Sequence, residues 1–263
     1  MDVRRSVTAA SLSLIATALA LVTIALNGAR AADWHSASRE PVGLAPDPAT
    51  APEAVVQVYA ARTWGWRGTF GVHTWIATKR AGARAFTVYE VIGWRLRWSD
   101  SAVSVSARAP DARWYGSAPE LLADKRGAGV DALIDRIAAA VKAYPFASEY
   151  TVWPGPNSNT FTAWILRQVP ELEADLPPTA IGKDYLGERI FATAPSGSGF
   201  QLSLAGLLGI LASGVEGLEV NVLGLSFGVN PFDPSVKLPL VGRIGPTRRF
   251  GAEHAAQPAR APR

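Results

Sequence analysis

The sequence predicts an α+β fold, an antiparallel sheet with helices packed against it. Three features predict it. Runs of strand length and β-branched character, Ala54–Ala61, Thr69–Lys79 and Arg84–Gly93, follow one another across short glycine-bearing turns. The apolar period then lengthens, with Val130, Leu133, Ile134, Ile137, Val141 and Tyr144 on one helical face ahead of Pro145. A second helical pattern from about Asn159 to Val169 turns Phe161, Trp164, Ile165 and Val169 inward and stops at Pro170.

Taken in order, residues 1–32 read as a signal peptide or membrane anchor. Arg4 and Arg5 precede an uncharged run, Ser6 to Leu26, and Ala29-Arg30-Ala31 fits a small-x-small cleavage site. The run is close to the ~20 residues that span a bilayer, so a retained anchor stands beside a cleaved leader. Both place the rest of the chain outside the cytoplasm. Residues 33–52 carry four prolines and read as an extended linker. The folded domain runs over 53–246, with an apolar elaboration from about residue 179, and 247–263 reads as a disordered basic tail.

Within the domain, Trp64-Gly65-Trp66-Arg67-Gly68 is a turn. Arg95–Trp98 and Ala102–Arg108 suit a hairpin around Ser99-Asp100-Ser101. Ser117-Ala118-Pro119-Glu120 has the form of a capping box and predicts a short helix to about Lys125. Glu149–Trp153 suits a short strand. Thr193–Phe200 reads as a flexible loop, because Gly197-Ser198-Gly199 lacks the Lys-Ser/Thr of a phosphate-binding loop. Leu202–Val215 is apolar but interrupted too soon for a membrane span, so it is expected to be buried or to face a bilayer. Val220–Val229 suits a strand and Pro239–Pro246 an extended arm.

The chain of 263 residues is 48% hydrophobic and carries a formal net charge of +4, enough apolar content for one substantial core. No nucleic-acid-binding signature occurs. There is no cysteine, which removes disulfides, thiolate metal sites and a cysteine nucleophile. His73 is the one histidine in the predicted domain, so neither a metal nor a cofactor is expected.

Two places carry candidate chemistry. In Trp153-Pro154-Gly155-Pro156-Asn157-Ser158-Asn159-Thr160-Phe161, a Pro/Gly turn delivers a hydroxyl to a helix N-terminus, where free N–H groups and the positive dipole end collect. Taken alone, Asn157-Ser158-Asn159 is a well-capped helix start. The other place is the hairpin around Arg80–Ala83. If those four residues are its loop, Lys79 faces Arg84, His73 lies opposite Glu90, Trp75 opposite Val88 and Ala77 opposite Phe86. An imidazole and a carboxylate then meet on an apolar face. A slip of one residue would separate them.

Asn157-Ser158-Asn159-Thr160-Phe161 resembles the Asn-Cys-Asn-His-Phe type of motif in circularly permuted papain-like (NlpC-type) hydrolases. There, too, a strand-borne histidine and a polar or acidic residue precede a nucleophile at a helix start. This chain has Ser158 where those hydrolases have cysteine. The segment from about Val55 to Gly245 is also similar to domain-of-unknown-function family 3750. That resemblance rests on Gly71-Val72-His73-Thr74-Trp75, Tyr89-Glu90-Val91-Ile92-Gly93-Trp94, the Gly155-to-Phe161 motif and Asn230-Pro231-Phe232.

The resemblance implies a permuted papain-like domain in which Ser158 attacks, His73 moves the proton, Glu90 orients His73 and the Asn159 N–H helps hold an oxyanion. Trp64, Trp66, Trp75 and Asn157 are the candidate substrate contacts. The expected activity is an amide or ester hydrolase or acyltransferase of the cell envelope, acting on a peptide, lipoprotein or lipid beside the inner membrane. The alternative is a membrane-anchored binding or scaffold domain that kept the shell without the reaction, because a hydroxyl cannot be pre-ionised as a thiol can.

Overall fold

Strand β1 (Val55–Arg62) is buried along nearly its whole length, as VVQVYAA requires of a strand covered on both faces. The computed structural model describes residues 34–246. The predicted leader or anchor and the basic tail lie outside the described residues. Among the described residues no helix is long and apolar enough to cross a membrane.

Strand β1 belongs to a five-stranded antiparallel sheet of order β4-β3-β2-β1-β5, formed with β2 (Val72–Lys79), β3 (Thr87–Val91), β4 (Val103–Ala107) and β5 (Glu120–Arg126). One face, carrying Val56, Val58 and Ile76, packs on α1 (Val130–Lys142) and α2 (Ser158–Gln168) through Ile134, Ile137, Phe161 and Ile165. Each such side chain contributes about 1.5–3 kcal/mol by leaving water. The other face holds a smaller cluster of Val55, Tyr59, Trp75, Ala77, Phe86 and Val88, covered in part by Ala45, Trp114 and Leu121. The predicted linker therefore helps to close this side. Leu44 N–H donates to Asp111 Oδ2 at 2.7 Å, and Arg113 and Gly116 N–H donate to Glu40 and Ser38 carbonyls.

Three local expectations are corrected. Glu120–Arg126 is strand β5, not a helix, because pairing with the open edge of β1 outweighs local helix preference. Gly93–Arg97 is a 3-10 turn, so β4 pairs with β3 and not with a strand at Arg95–Trp98. Glu149–Trp153 forms no strand.

The chain beyond Leu186 builds a second sheet that the sequence reading did not anticipate. Seven strands follow in spatial order β6 to β12: Phe191–Thr193, Gly199–Leu204, Leu208–Ser213, Gly217–Val222, Leu225–Asn230, Ser235–Leu238 and Gly242–Ile244. What reads as one strand over Val220–Val229 is two, β9 and β10, joined by Leu223-Gly224 with both residues at positive φ. That backbone is the two-residue hairpin turn whose twist matches the flanking strands. Of Thr193–Phe200, expected as a loop, only residues 194–198 form the turn between β6 and β7, its ends being paired strand residues, and Leu202–Val215 spans the β7–β8 hairpin.

Candidate active site

Helix α2 begins where the sequence places it, through a reciprocal cap. Asn157 Oδ1 accepts from Asn159 N–H at 2.9 Å and Thr160 N–H at 3.3 Å, while Asn157 N–H donates to Thr160 Oγ1 at 3.1 Å. Asn157 Nδ2 donates in turn to the Val152 and Ile181 carbonyls, both at 3.1 Å. The 181–183 turn closes tightly over this cap. A Cβ at Gly182, whose φ is +96°, would stand 2.3 Å from Asn157 Nδ2, so the position requires glycine. Beside it, Thr74 Oγ1 bonds Asn159 Oδ1 at 3.0 Å and Thr162 Oγ1 at 2.9 Å, tying strand β2 to the first turn of α2.

His73 and Glu90 meet, by a register that differs from the predicted one. Ile76 pairs with Tyr89, Ala77 with Val88 and Thr78 with Thr87, which carries the hairpin two residues beyond the expected alignment. Because the slip is even, both side chains stay on the same face. They touch diagonally, with His73 Nε2 2.9 Å from Glu90 Oε2. Arg108 Nη2 donates to Glu90 Oε1 at 3.3 Å from β4's far end. Burial pushes the Glu90 pKa up, but the His73 hydrogen bond and the charges of His73 and Arg108 outweigh it. Together they hold the carboxyl below its usual range. The ionised carboxylate can only accept, so Nε2 carries a proton, and Nδ1 is the nitrogen left to exchange the other. The His73 ring is clamped by Trp114, stacked at 3.7 Å between centroids and 15° between planes.

His73, Asn157, Ser158 and Asn159 line one cleft of about 1020 Å³. Seven of the nine tryptophans also line it, among them Trp64 and Trp66 as expected. Trp75 does not. It lies two residues further along β2, fully buried, stacked on Tyr59 with its indole N–H donated to the Pro110 carbonyl at 2.7 Å. Trp75 is core, and the wall contact expected of it falls instead to Trp94, Trp114 and Trp153.

The expected role of Asn159 is corrected as well. Its N–H is held by Asn157, and its side-chain amide donates to the Val72 and Ile181 carbonyls at 3.0 and 2.7 Å. Among the described residues nothing accepts from Ser158 N–H, which makes that first-turn amide the donor open to an oxyanion. No hydrogen bond joins Ser158 Oγ to His73 among the described residues; the cleft is what they share.

The reading of the sequence missed Arg108 and Trp114. Nothing marks them locally, since the fold alone brings β4 and the 111–117 turn onto the His73 face. The arrangement offers a hydroxyl at a helix N-terminus, an imidazole whose tautomer is fixed, and an apolar wall. Among the described residues no group of three His, Asp or Glu side chains could hold a metal ion.

Comparison with known proteins adds one finding. The family of proteins of unknown function DUF3750 matches residues 53–185, the stretch that contains His73, Glu90 and Ser158 and ends before the second sheet. No curated protein and no solved structure matches the chain.

Proposed function

The chain belongs to the DUF3750 family, a family without an assigned activity, and from its site we propose a serine-dependent amide or ester hydrolase or acyltransferase. The observation that carries the proposal is the His73–Glu90 bond of 2.9 Å beside a hydroxyl-bearing helix start in the same aromatic cleft. In this reading Ser158 Oγ attacks an acyl carbon as its proton passes to His73 Nδ1. The carbonyl oxygen collects charge at the Ser158 N–H, and His73 returns the proton to the departing amine or alcohol. Water or a second nucleophile then releases the acyl group. Order of residues and helix-start geometry both support a permuted papain-like arrangement with serine in place of cysteine.

The apolar wall suits a substrate with a lipid or aromatic portion, such as a lipoprotein, a lipid or an envelope peptide. With the apolar run at Ser6–Leu26, the proposed setting is the outer side of the inner membrane. A second reading, a binding domain without turnover, is favoured by one observation: Ser158 and His73 share no hydrogen bond.

A fluorophosphonate probe separates the two. Wild-type protein is expected to be labelled, and Ser158→Ala and His73→Ala to lose the labelling while keeping their folded circular dichroism. Labelling that survives Ser158→Ala, or is absent from wild type, rejects the nucleophile.

A further inference from the structure

The second sheet is built inside out for a protein in water. Its inner face carries the polar side chains Gln201, Ser203, Glu219, Asn221, Ser226 and Lys237, all buried. They pack on residues 175–184, with Asn221 Nδ2 donating to Asp184 Oδ2 at 2.8 Å and Lys237 Nζ to Asp175 Oδ1 at 2.6 Å. The outer face is the apolar one. Cross-strand neighbours run Phe191, Leu202, Ile210, Val220, Phe227 along one row, all exposed, and a second row runs from Phe200 to Ile244. No charged side chain stands at the outward positions of the seven strands. Seven strands span roughly 30 Å and the longest run for about 20 Å, so the face covers on the order of 600 Å², at the upper end of the apolar patch that a monomer ordinarily exposes.

We propose that this face lies on a bilayer containing anionic lipid. Three observations choose lipid over a second copy of the chain. First, the strands have only three to six residues, too short to span a bilayer but suited to seating side chains at the acyl boundary. Second, the chain leaving edge strand β12 at Ile244 carries Arg248 and Arg249, which chain length alone keeps within about 18 Å of the sheet edge. Residues 247–263 hold four arginines against one glutamate, a complement to anionic headgroups. Two copies stacked face to face would have no use for that charge. Third, residues 27–33 alone separate the apolar run from Trp34, a reach of at most about 29 Å.

The last link is to the cleft. Trp34 and Trp153 both line it, and Trp153 Nε1 donates at 3.0 Å to the Leu223 carbonyl at the tip of the β9–β10 turn. A sheet lying on lipid therefore brings the cleft to the bilayer's margin. This surface stands whether or not Ser158 reacts.

The absence of cysteine gives a clean test in the full-length protein. Ile210→Cys and Val220→Cys, on the outer face, and Lys142→Cys, exposed on α1, are each labelled with an environment-sensitive fluorophore. The proteins are then reconstituted into phosphatidylcholine vesicles with phosphatidylglycerol, some lipids carrying a nitroxide on the acyl chain. The expected result is that the labels at 210 and 220 shift to the blue and lose most of their emission to the nitroxide, while the label at 142 does neither. Equal quenching at all three positions, or none at 210 and 220, overturns the proposal. Shielding of 210 and 220 that depends on protein concentration and brings no lipid quenching also overturns it, and assigns the face to a second copy.

Discussion

Glu90→Gln slows acylation of Ser158 by the fluorophosphonate by roughly 10³- to 10⁴-fold, the expected result if the carboxylate fixes the imidazole. Glu90 is buried, and its two oxygens are divided between His73 Nε2 and Arg108 Nη2. Glutamine keeps the size and removes the charge. Its amide can turn its NH₂ toward Nε2, which moves the ring proton to Nδ1 and removes the lone pair that the proposed mechanism uses as base. Arg108 meanwhile loses its anionic partner. A purely structural Glu90 would lower the melting temperature without a rate loss of this size, so both are measured on the same samples. The folded Glu90 titrates below the unfolded value of about 4.3, so its stabilisation is present above that pH and is lost as pH falls through the lower folded value. The stability difference between wild type and Glu90→Gln is therefore expected to shrink on acidification.

Lys237→Met is the variant expected to cost the most stability, about 3–5 kcal/mol. Lys237 is 1% exposed, yet its ammonium donates to Asp175 Oδ1 and Glu219 Oε1, both at 2.6 Å, and to the Glu216 carbonyl at 2.8 Å. Methionine matches the stem and deletes the cation, leaving Glu219 with Lys183 as its remaining cation. Burial alone would raise the Glu219 pKa, but Lys183 and Lys237 more than reverse this and hold it below the usual range. Its stabilisation likewise disappears as pH falls through the folded value. Urea titration of wild type and variant at neutral pH gives the difference. Adding Glu219→Leu to Lys237→Met is expected to recover part of the loss, because it removes the buried charge left under-compensated.

The first sheet and the helix start were legible because local signals and burial agree there. Val55–Ala61 has the composition of a covered strand, and Asn157 caps α2 with its own side chain. The His73–Glu90 meeting was legible for a narrower reason. The hairpin loop is longer than the four residues assumed, but an even slip preserves the face, and a diagonal neighbour is still within reach. Trp75 and Asn159 were misread because sequence separates neither a wall from a core nor a free amide from one already bonded. The second sheet was obscured by its inverted pattern. Gly217-Leu218-Glu219-Val220-Asn221-Val222 alternates as a strand should, but its charged residue points inward and its turn is Leu-Gly in place of the usual Asn-Gly. Lys183, Asp184 and Lys237 look like surface residues until the fold pairs them.

The central claim is that the start of α2 and His73 together stabilise negative charge at position 158. Ser158→Cys reads this directly, since the introduced thiol would be the chain's only one. Its ionisation can be followed by thiolate absorbance against pH, alone and combined with His73→Ala. The account expects a pKa well below the ordinary ~8.5 of a free thiol, moving back toward it when His73 is removed. A thiol that titrates at or above that value, indifferent to His73, would contradict it.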